Sequence, residues 1–300
     1  MAQTCVASKP FSGCGHLIIG LSNSVSLMES MISDFAQLKA GMKSSWMAGD
    51  FGRIATFTAQ AAEQFVERIA IPPGSLVLDV ACGTGNTAIP AARAGACVTG
   101  LDIAPNLLAQ ARQRAAAENL DIRFEEGGAE DLPFPSQNFD FVLSMFGAMF
   151  APCPERVAAE LLRVCKPGGV VAMANWTPTG FVGKSFQITS RLLPPPPGVP
   201  APVLWGDEST VQQRLSAGAS SVKLTRQKFW FQYPDSPMET VEFFRQYSGP
   251  TQVAFCRLDQ AGQDTLADQL GSLWTAHNTA TDGSTRVETE YLDARAIRAE

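Results

Sequence analysis

Two glycines between a short apolar run and a helix-forming segment constrain the fold more than any other part of the chain. The apolar run spans residues 77–80 and is typical of a buried parallel strand. Gly83 and Gly85 follow it, and glycine permits a tight turn with close approach of the backbone to a ligand. The unpaired N–H groups of the next helix would point toward that ligand. This junction predicts a strand, a loop and a helix arranged around a nucleotide-type cofactor.

An acidic residue closes the next apolar run. Asp102 follows residues 97–101 and stands seventeen residues after Gly85. At the carboxyl end of the neighbouring strand, its carboxylate would lie within reach of a ribose diol, and open α/β sheets bind ligands at this edge. The glycines and this acid also fit the dinucleotide pattern G-x-G-x-x-A. The glycine spacing alone therefore does not choose between cofactors.

Asp79, four residues before the first glycine, separates the two cofactors. A carboxylate at the tip of the strand would repel the pyrophosphate group of a dinucleotide. The same carboxylate would attract the ammonium group of an aminoacyl sulfonium, directly or through water. Asp79 therefore favours S-adenosylmethionine over NAD.

Strand-like and helix-like segments alternate from residue 77 onward, which predicts a parallel sheet with helices on both faces. Within this pattern, residues 166–169 (Lys-Pro-Gly-Gly) predict the end of a helix and a turn into a strand. The strand candidates of this part of the chain are residues 77–80, 97–101, 122–125, 139–144 and 170–175. Two later candidates are residues 222–233 and 287–291, with helical stretches at 237–246 and 258–277 between them.

Four further segments accompany the glycine loop: residues 126–134, 138–144 and 160–169, and Trp46 with residues 49–51. In the same order, they look like the adenine loop, the fourth strand, the approach to the fifth strand and the cofactor-covering N-terminal segment of one family. The chain thereby resembles the class I S-adenosylmethionine-dependent methyltransferases, in the small-molecule branch that includes the ubiquinone/menaquinone-type C-methyltransferases. The resemblance covers roughly residues 43–180.

This resemblance implies a set of cofactor-binding residues. Asp79 and the glycine loop would hold the methionyl part of S-adenosylmethionine, and Asp102 would bind its ribose hydroxyls. The adenine would lie between residues of the next helix and the adenine loop. Gly128 departs from the family pattern, because many relatives have Asp there, and this departure bears on cofactor affinity. The full expected set is Asp79, Ala81, Cys82, Gly83, Thr84, Gly85, Asn86, Asp102, Ile103, Leu107, Gly128, Ala129, Glu130 and Ser144.

The resemblance also implies the fold class. We expect an α/β protein with a Rossmann-like, doubly wound, seven-stranded sheet, mostly parallel with one antiparallel strand, plus helical lid additions.

Residues 1–30 are rich in Ser and Gly, and we expect them to be disordered, with translation beginning at Met28 or Met31. Residues 31–300 would form a single methyltransferase domain, with a cofactor-binding core at 43–180 and C-terminal strands and lid helices at 181–300.

Composition excludes several classes of partner. The net charge is −6 and the chain has no Lys/Arg-rich run, so we expect no binding to nucleic acid. Seven cysteines without a C-x-x-C pair, and two histidines, indicate neither a disulfide framework nor a metal site. The apolar patch at 17–21 is too short for a signal peptide or a membrane span. We therefore expect a cytoplasmic protein, whose oligomeric state the sequence leaves open.

Aromatic residues indicate the kind of methyl acceptor. Many lie in the additions after residue 180, and Phe146, Met149 and Trp176 follow strand ends beside the expected methyl group. They favour a small apolar or ring-containing acceptor, methylated on oxygen, nitrogen or carbon. Residues 144–147 (Ser-Met-Phe-Gly) lack the Asn/Asp-Pro-Pro-Phe/Tyr sequence of enzymes that methylate exocyclic amines of nucleobases or glutamine side chains, which argues against that chemistry.

No catalytic residue is assigned from the sequence. A carbon or oxygen acceptor must lose a proton, and the candidates for accepting it are His277, Tyr247, Tyr291 and Glu130.

Two other functional classes stay open. One is an NAD(P)-dependent oxidoreductase, which would use the same glycines, and the other is a non-catalytic regulator that binds S-adenosylmethionine without turning it over.

Overall fold

The computed structural model describes residues 35–300, which divide into two units. Residues 35–42 are helical and belong to the first unit. The second unit is Lys43–Glu300, and everything described below lies within it. Three predictions concern residues outside the described range: the disordered extension at 1–30, the start at Met28 or Met31, and the apolar patch at 17–21. The expected domain boundaries stay predictions.

Within Lys43–Glu300, seven strands form one sheet. Their order across the sheet is β3-β2-β1-β4-β5-β7-β6, and β7 runs antiparallel to both of its neighbours while the other strands run parallel to one another. This arrangement confirms the fold class expected from the sequence. The strands are β1 (Leu76–Val80), β2 (Cys97–Asp102), β3 (Ile122–Glu126), β4 (Phe139–Met145), β5 (Cys165–Trp176), β6 (Ala219–Tyr233) and β7 (Thr285–Arg298).

Helices cover both faces of the sheet, which explains why the central strands are apolar over almost their whole length. Several helices begin at recognisable signals: Pro105 stands at the first position of α4, and Ser236 with Glu239 forms a capping box at α8. The α-helices that lie wholly within this unit are α1 (Phe51–Ala55), α2 (Ala59–Ile69), α3 (Ala88–Arg93), α4 (Pro105–Ala117), α5 (Pro154–Val164), α6 (Phe181–Leu192), α7 (Glu208–Ser216), α8 (Pro237–Tyr247), α9 (Gly249–Cys256) and α10 (Gln260–His277), and residues 43–47 are also helical.

Strand β5 differs from the prediction. It begins at Cys165, five residues before the expected start at Val170, so the Lys-Pro-Gly-Gly sequence lies inside the strand. The register with β4 shifts between Phe139 and Phe141, and Gly168 has a positive φ of 74°. The proline and glycines therefore produce an irregularity within the strand rather than a turn before it. Helix α9 is a second difference, since no helix was predicted between 246 and 258.

The registers determine which side chains share a face of the sheet. Asp79 pairs with Leu143, Leu143 with Ala172, and Trp176 with Tyr291. Because side chains alternate along a strand, Asp79, Trp176 and Tyr291 lie on the same face.

Among residues 35–300, no helix combines the length and the apolar character that crossing a bilayer requires. The expected cytoplasmic location stays a prediction.

Candidate active site

The glycine loop, residues 81–87, connects β1 to α3. Its shape depends on positive φ angles at Ala81 (57°), Gly83 (53°) and Gly85 (85°). The Cys82 N–H donates to the carbonyl of Leu101 at 3.0 Å, and the Gly85 N–H donates to that of Cys82 at 2.8 Å. A Cβ atom built on Gly83 would meet no other atom of the described residues within 4 Å. The loop therefore borders open space at Gly83.

Asp102 fixes this loop from the neighbouring strand. Its Oδ2 accepts a hydrogen bond from the Gly83 N–H at 2.8 Å, and its Oδ1 accepts one from the Ala104 N–H at 2.8 Å. Burial raises the pKa of the Asp102 carboxyl group, and these backbone hydrogen bonds oppose the rise. The Ile103 backbone is a third donor to this carboxylate, and the acceptor capacity that remains can serve another donor, such as a ligand hydroxyl.

Asp79 is more deeply buried. The residue is 1% exposed, and its Oδ2 has no hydrogen-bond partner among residues 35–300. Burial raises the pKa of this carboxyl group well above its ordinary value; a hydrogen bond from the Ala88 backbone opposes the rise, and the nearby charge of Asp102 adds to it. A buried carboxyl oxygen without a partner is a position where a cationic ligand group would be favourable.

A side-chain clamp, formed by Asn86 and Arg114, joins the glycine loop to the N-terminal helices and to α4. The Asn86 amide donates to the Ala55 carbonyl at 2.7 Å and to the Thr58 hydroxyl at 3.2 Å. Its Oδ1 accepts from Arg114 Nη1 at 2.8 Å, and the same nitrogen donates to the buried Thr84 carbonyl at 2.7 Å. Asn86, expected as a ligand contact, thus already binds protein groups at both ends of its amide.

The expected adenine loop lies beside Asp102. The Gly127 N–H donates to the Asp102 carbonyl at 3.0 Å, and Gly128 forms a backbone bridge with Asp131. Ala129 and Glu130 are buried here. On the other side of Asp102, Ile103 is half-buried and Leu107 is buried at the start of α4. The structure therefore places the expected adenine-binding residues around one acid.

The N-terminal segment, residues 43–50, lies between the start of α4 and the junction of α8 with α9. The Asn106 amide donates to the Met47 carbonyl at 3.3 Å, and the Asp50 N–H donates to the Tyr247 carbonyl at 3.0 Å. The Trp46 ring meets that of Phe150 edge-on, with centroids 5.1 Å apart. The segment thus reaches the residues that follow β4.

An aromatic group, the ring cluster of Phe146, Trp176, Phe229 and Tyr291, lies where β4 and β5 end. Phe146 and Trp176 are stacked with centroids 3.6 Å apart and planes 6° from parallel. Tyr291 meets Phe146 edge-on at 5.4 Å. Phe146 adopts a positive φ of 54°, which is uncommon for a bulky residue. Such strain is a feature of functional sites.

Residues next to Phe146 bind the ring cluster to the glycine loop. A Cβ atom on Gly147 would lie 2.4 Å from the Ala81 carbonyl oxygen, so this contact requires glycine. The buried Ser144 hydroxyl donates to the Val80 carbonyl at 2.8 Å and accepts from the Ala148 N–H at 3.0 Å. Ser144, expected among the cofactor contacts, therefore joins the ends of β1 and β4.

The candidate proton acceptors lie in different surroundings. Tyr291 belongs to the ring cluster, and its hydroxyl oxygen accepts from Arg68 Nη2 at 2.5 Å. Burial raises the pKa of Tyr291, against the effect of Arg68. Tyr247 accepts from Arg53 Nη1 at 2.9 Å, and His277 Nε2 lies 3.2 Å from Lys184 Nζ at the end of α10. The structure does not gather the candidates around one point.

Arg68 and Arg114 were not among the residues that the sequence predicted for the site. Arg68 reaches Tyr291, 223 residues later in the chain, and Arg114 reaches Asn86 from a different helix. Neither stands in a recognisable motif, and the helical pattern around each one marks only buried and exposed faces. No local signal in the sequence would have identified them.

Comparison with known proteins gives three kinds of match. A family model described as a methyltransferase domain matches residues 77–169. Uncharacterized protein Rv1403c of Mycobacterium tuberculosis is 41% identical over 207 residues, which cover 68% of this chain and 76% of that protein. The demethylmenaquinone methyltransferase of Renibacterium salmoninarum is 39% identical over 116 residues, covering 39% of this chain and 47% of the enzyme. A putative methyltransferase (BH2331) from Bacillus halodurans C-125 shares the fold, with a TM-score of 0.56, 17% identity, and coverage of 80% of this chain and 99% of that one.

Proposed function

Because the chain belongs to the class I S-adenosylmethionine-dependent methyltransferases, we propose that it transfers a methyl group to a small apolar or ring-containing acceptor. S-adenosylmethionine is its cofactor. The cofactor supplies a methyl group on a sulfonium whose positive charge is lost when the methyl group leaves. The observation that carries the proposal is the unpartnered Oδ2 of Asp79, buried beside a glycine loop that borders open space.

We assign chain residues to each part of the cofactor. Asp79 would hold the ammonium group, because its buried carboxyl oxygen lacks a partner. The lone pairs that Asp102 keeps free of Gly83 and Ala104 would accept the ribose hydroxyls. The glycine loop and the residues around Asp102 would surround the rest. The proposed contacts are Asp79, Ala81, Cys82, Gly83, Thr84, Gly85, Asn86, Asp102, Ile103, Leu107, Gly128, Ala129, Glu130 and Ser144.

The ring cluster would line the acceptor side of the site. It shares the face of the sheet with Asp79, and Gly147 holds Phe146 against the glycine loop. Flat apolar walls would align a ring-containing acceptor and exclude water from it, and alignment supplies much of the acceleration of an in-line transfer. Tyr291, whose pKa is raised, would keep its proton at neutral pH and act as a hydrogen-bond donor rather than a base.

The first experiment is isothermal titration of the protein with S-adenosylhomocysteine, with NADH as the control ligand. We expect micromolar binding of the first and none of the second. Transfer of a labelled methyl group to phenols, quinones and amines would then identify the acceptor atom. Binding of NADH alone would contradict the proposal, and cofactor binding without turnover of any acceptor would favour a regulator.

Asp102→Ala tests the site at one residue. We expect this change to weaken S-adenosylhomocysteine binding by about 1.5–3 kcal/mol, because hydrogen bonds to a charged acceptor are lost. Asp264→Ala, on the exposed surface of α10, is the matched control and should bind like the wild type. Unchanged affinity in Asp102→Ala would refute the assignment of Asp102.

A further inference from the structure

A groove between α5, α7 and the end of β7 lies apart from the proposed active site. Its volume is about 710 Å³. Arg298 lines it, and Arg298 Nη1 donates to the Cys165 carbonyl at 2.8 Å, at the amino end of β5. The glycine loop follows the carboxyl end of β1, which runs parallel to β5. The groove is therefore at the opposite end of the sheet from the glycine loop.

Arg214, on α7, is the most unusual residue of the groove. Its side chain is 7% exposed, yet within the described part of the chain neither its Nε nor its Nη1 has a hydrogen-bond partner. The acid paired with it, Glu155, approaches Nε only to 3.6 Å and is itself 75% exposed. The guanidinium lies 4.7 Å from the centre of the Trp205 ring, which holds it in position. Buried guanidinium groups are ordinarily hydrogen-bonded, so these donors lack the partner that their burial calls for.

Other residues of the groove determine what that partner would be. Arg298 adds a second positive charge. Arg163 adds charge but offers few donors, because it already binds Glu160 and the carbonyls of Leu132 and Phe134. The acids Glu155 and Glu300 also line the groove and oppose this charge. Its remaining wall is partly apolar, with Ala159, Leu162 and Ala217.

We infer that this groove binds an oxyanion, a phosphate or a carboxylate, carried on a small molecule with an apolar part. The planar fork of Arg214 matches the two oxygens that such a group presents, and Arg298 is the second cation. The groove is much larger than one inorganic ion, and its apolar wall would contact the body of the ligand. The ligand would bind far from the methyl acceptor, as a second ligand of the protein.

Titration calorimetry with simple probes tests this inference. The protein, saturated with S-adenosylhomocysteine to fill the cofactor site, is titrated with butyl phosphate, with butyrate, and with butanol as the neutral control. We expect at least one of the two anions to bind and butanol to give no heat of binding. Comparing the two anions identifies the oxyanion that the groove prefers.

Four variants locate the binding. Arg214→Gln should weaken anion binding at least about tenfold, because charge-assisted hydrogen bonds are lost. Arg226→Gln, an exposed arginine held by Glu208 and Glu290 outside the groove, should bind like the wild type. Glu155→Gln should tighten binding severalfold, since it removes an opposing charge at an exposed position. Arg298→Gln should weaken binding less than Arg214→Gln.

The inference would be overturned by failure of both anions to bind the wild type, or by equal binding by the wild type and folded Arg214→Gln. Circular dichroism melting shows whether Arg214→Gln folds, given its contact with Trp205. If that variant does not fold, Glu155→Gln still decides the matter, because it leaves Arg214 in place and an unchanged affinity there would contradict the role of the groove. The probes need no methyl transfer, so this test is independent of the proposed function.

Discussion

The carboxyl group of Asp79 combines deep burial with a missing partner. This combination should make both ligand binding and stability depend on pH. In the free protein its pKa is raised, mainly by burial. The ammonium group of a bound ligand would favour the ionised form and lower that pKa. Binding would therefore release a proton wherever the solution pH lies between the two values. In the free protein the raised pKa means that the contribution of Asp79 to stability is greatest when it is protonated, and is lost as pH rises from the ordinary Asp value through the raised one.

We accordingly predict that S-adenosylhomocysteine affinity falls as pH is lowered through the raised pKa of Asp79. Calorimetry in buffers of different ionisation heat should detect proton release by the wild type. Asp79→Asn should bind more weakly by about 1.5–3 kcal/mol and should lose the pH dependence. A wild-type affinity that does not change with pH would contradict the role given to Asp79.

Substitution of two glycines of the site should have different effects, on cofactor binding at Gly83 and on stability at Gly147. Gly83 borders open space, so Gly83→Val should fold, with a backbone strain of about 1–2 kcal/mol at its positive φ, and should lose cofactor binding. Gly147→Ala should instead lower the melting temperature, because its Cβ would lie 2.4 Å from a backbone oxygen. Thermal unfolding and titration of both variants distinguish these outcomes. Wild-type binding by Gly83→Val would show that no ligand occupies the space at Gly83.

At the scale of elements, the clamp between Asn86 and Arg114 attaches the glycine loop to α4. Arg114→Met should weaken S-adenosylhomocysteine binding several-fold, because the loop loses the hydrogen bonds to Thr84 and Asn86 that hold its shape. Arg112→Met is the matched control: it lies on the same helix, and its Nη2 donates to the Phe124 carbonyl of β3 at 2.8 Å rather than to the loop. Both variants should lose stability. Equal affinity in the two variants would mean that the clamp does not position the loop.

Elements with a strong local pattern could be predicted from the sequence. The strands β1, β2 and β4 appear where apolar runs predicted them, because buried parallel strands need apolar side chains on both faces. The edge strand β3 also appears at its predicted position, although Arg123 and Glu125 make it much less apolar. The start of β5 could not be predicted, since Pro167 and Gly168 predict a turn before the strand, and the register shift is set by pairing with β4. The residues of the candidate site also differ in whether the sequence alone identifies them. Asp79 and Asp102 follow from strand ends, whereas Arg68 and Arg114 depend on contacts between distant parts of the chain.

At the scale of the whole molecule, the cofactor should stabilise the folded chain. A ligand that binds only the native state adds about 2.7 kcal/mol at a hundred times its dissociation constant. For a chain of this size, we expect the melting temperature to rise by about 5 °C with S-adenosylhomocysteine. NADH should give no rise, and Asp79→Asn should show a smaller one at the same ligand concentration. A melting temperature that ignores S-adenosylhomocysteine would contradict binding to the native state.

The order of strands across the sheet differs from their order along the chain, and this affects how the protein is made. Within the described residues, β6 is an edge strand that pairs only with β7, yet 51 residues (234–284) separate the two in sequence. A ribosome therefore completes β6 well before its partner exists. During that interval the nascent chain carries a fifteen-residue strand with unpaired backbone groups, the kind of edge to which other chains add. Synthesis of β7 ends this exposure, because β7 pairs with β5 on one side and with β6 on the other.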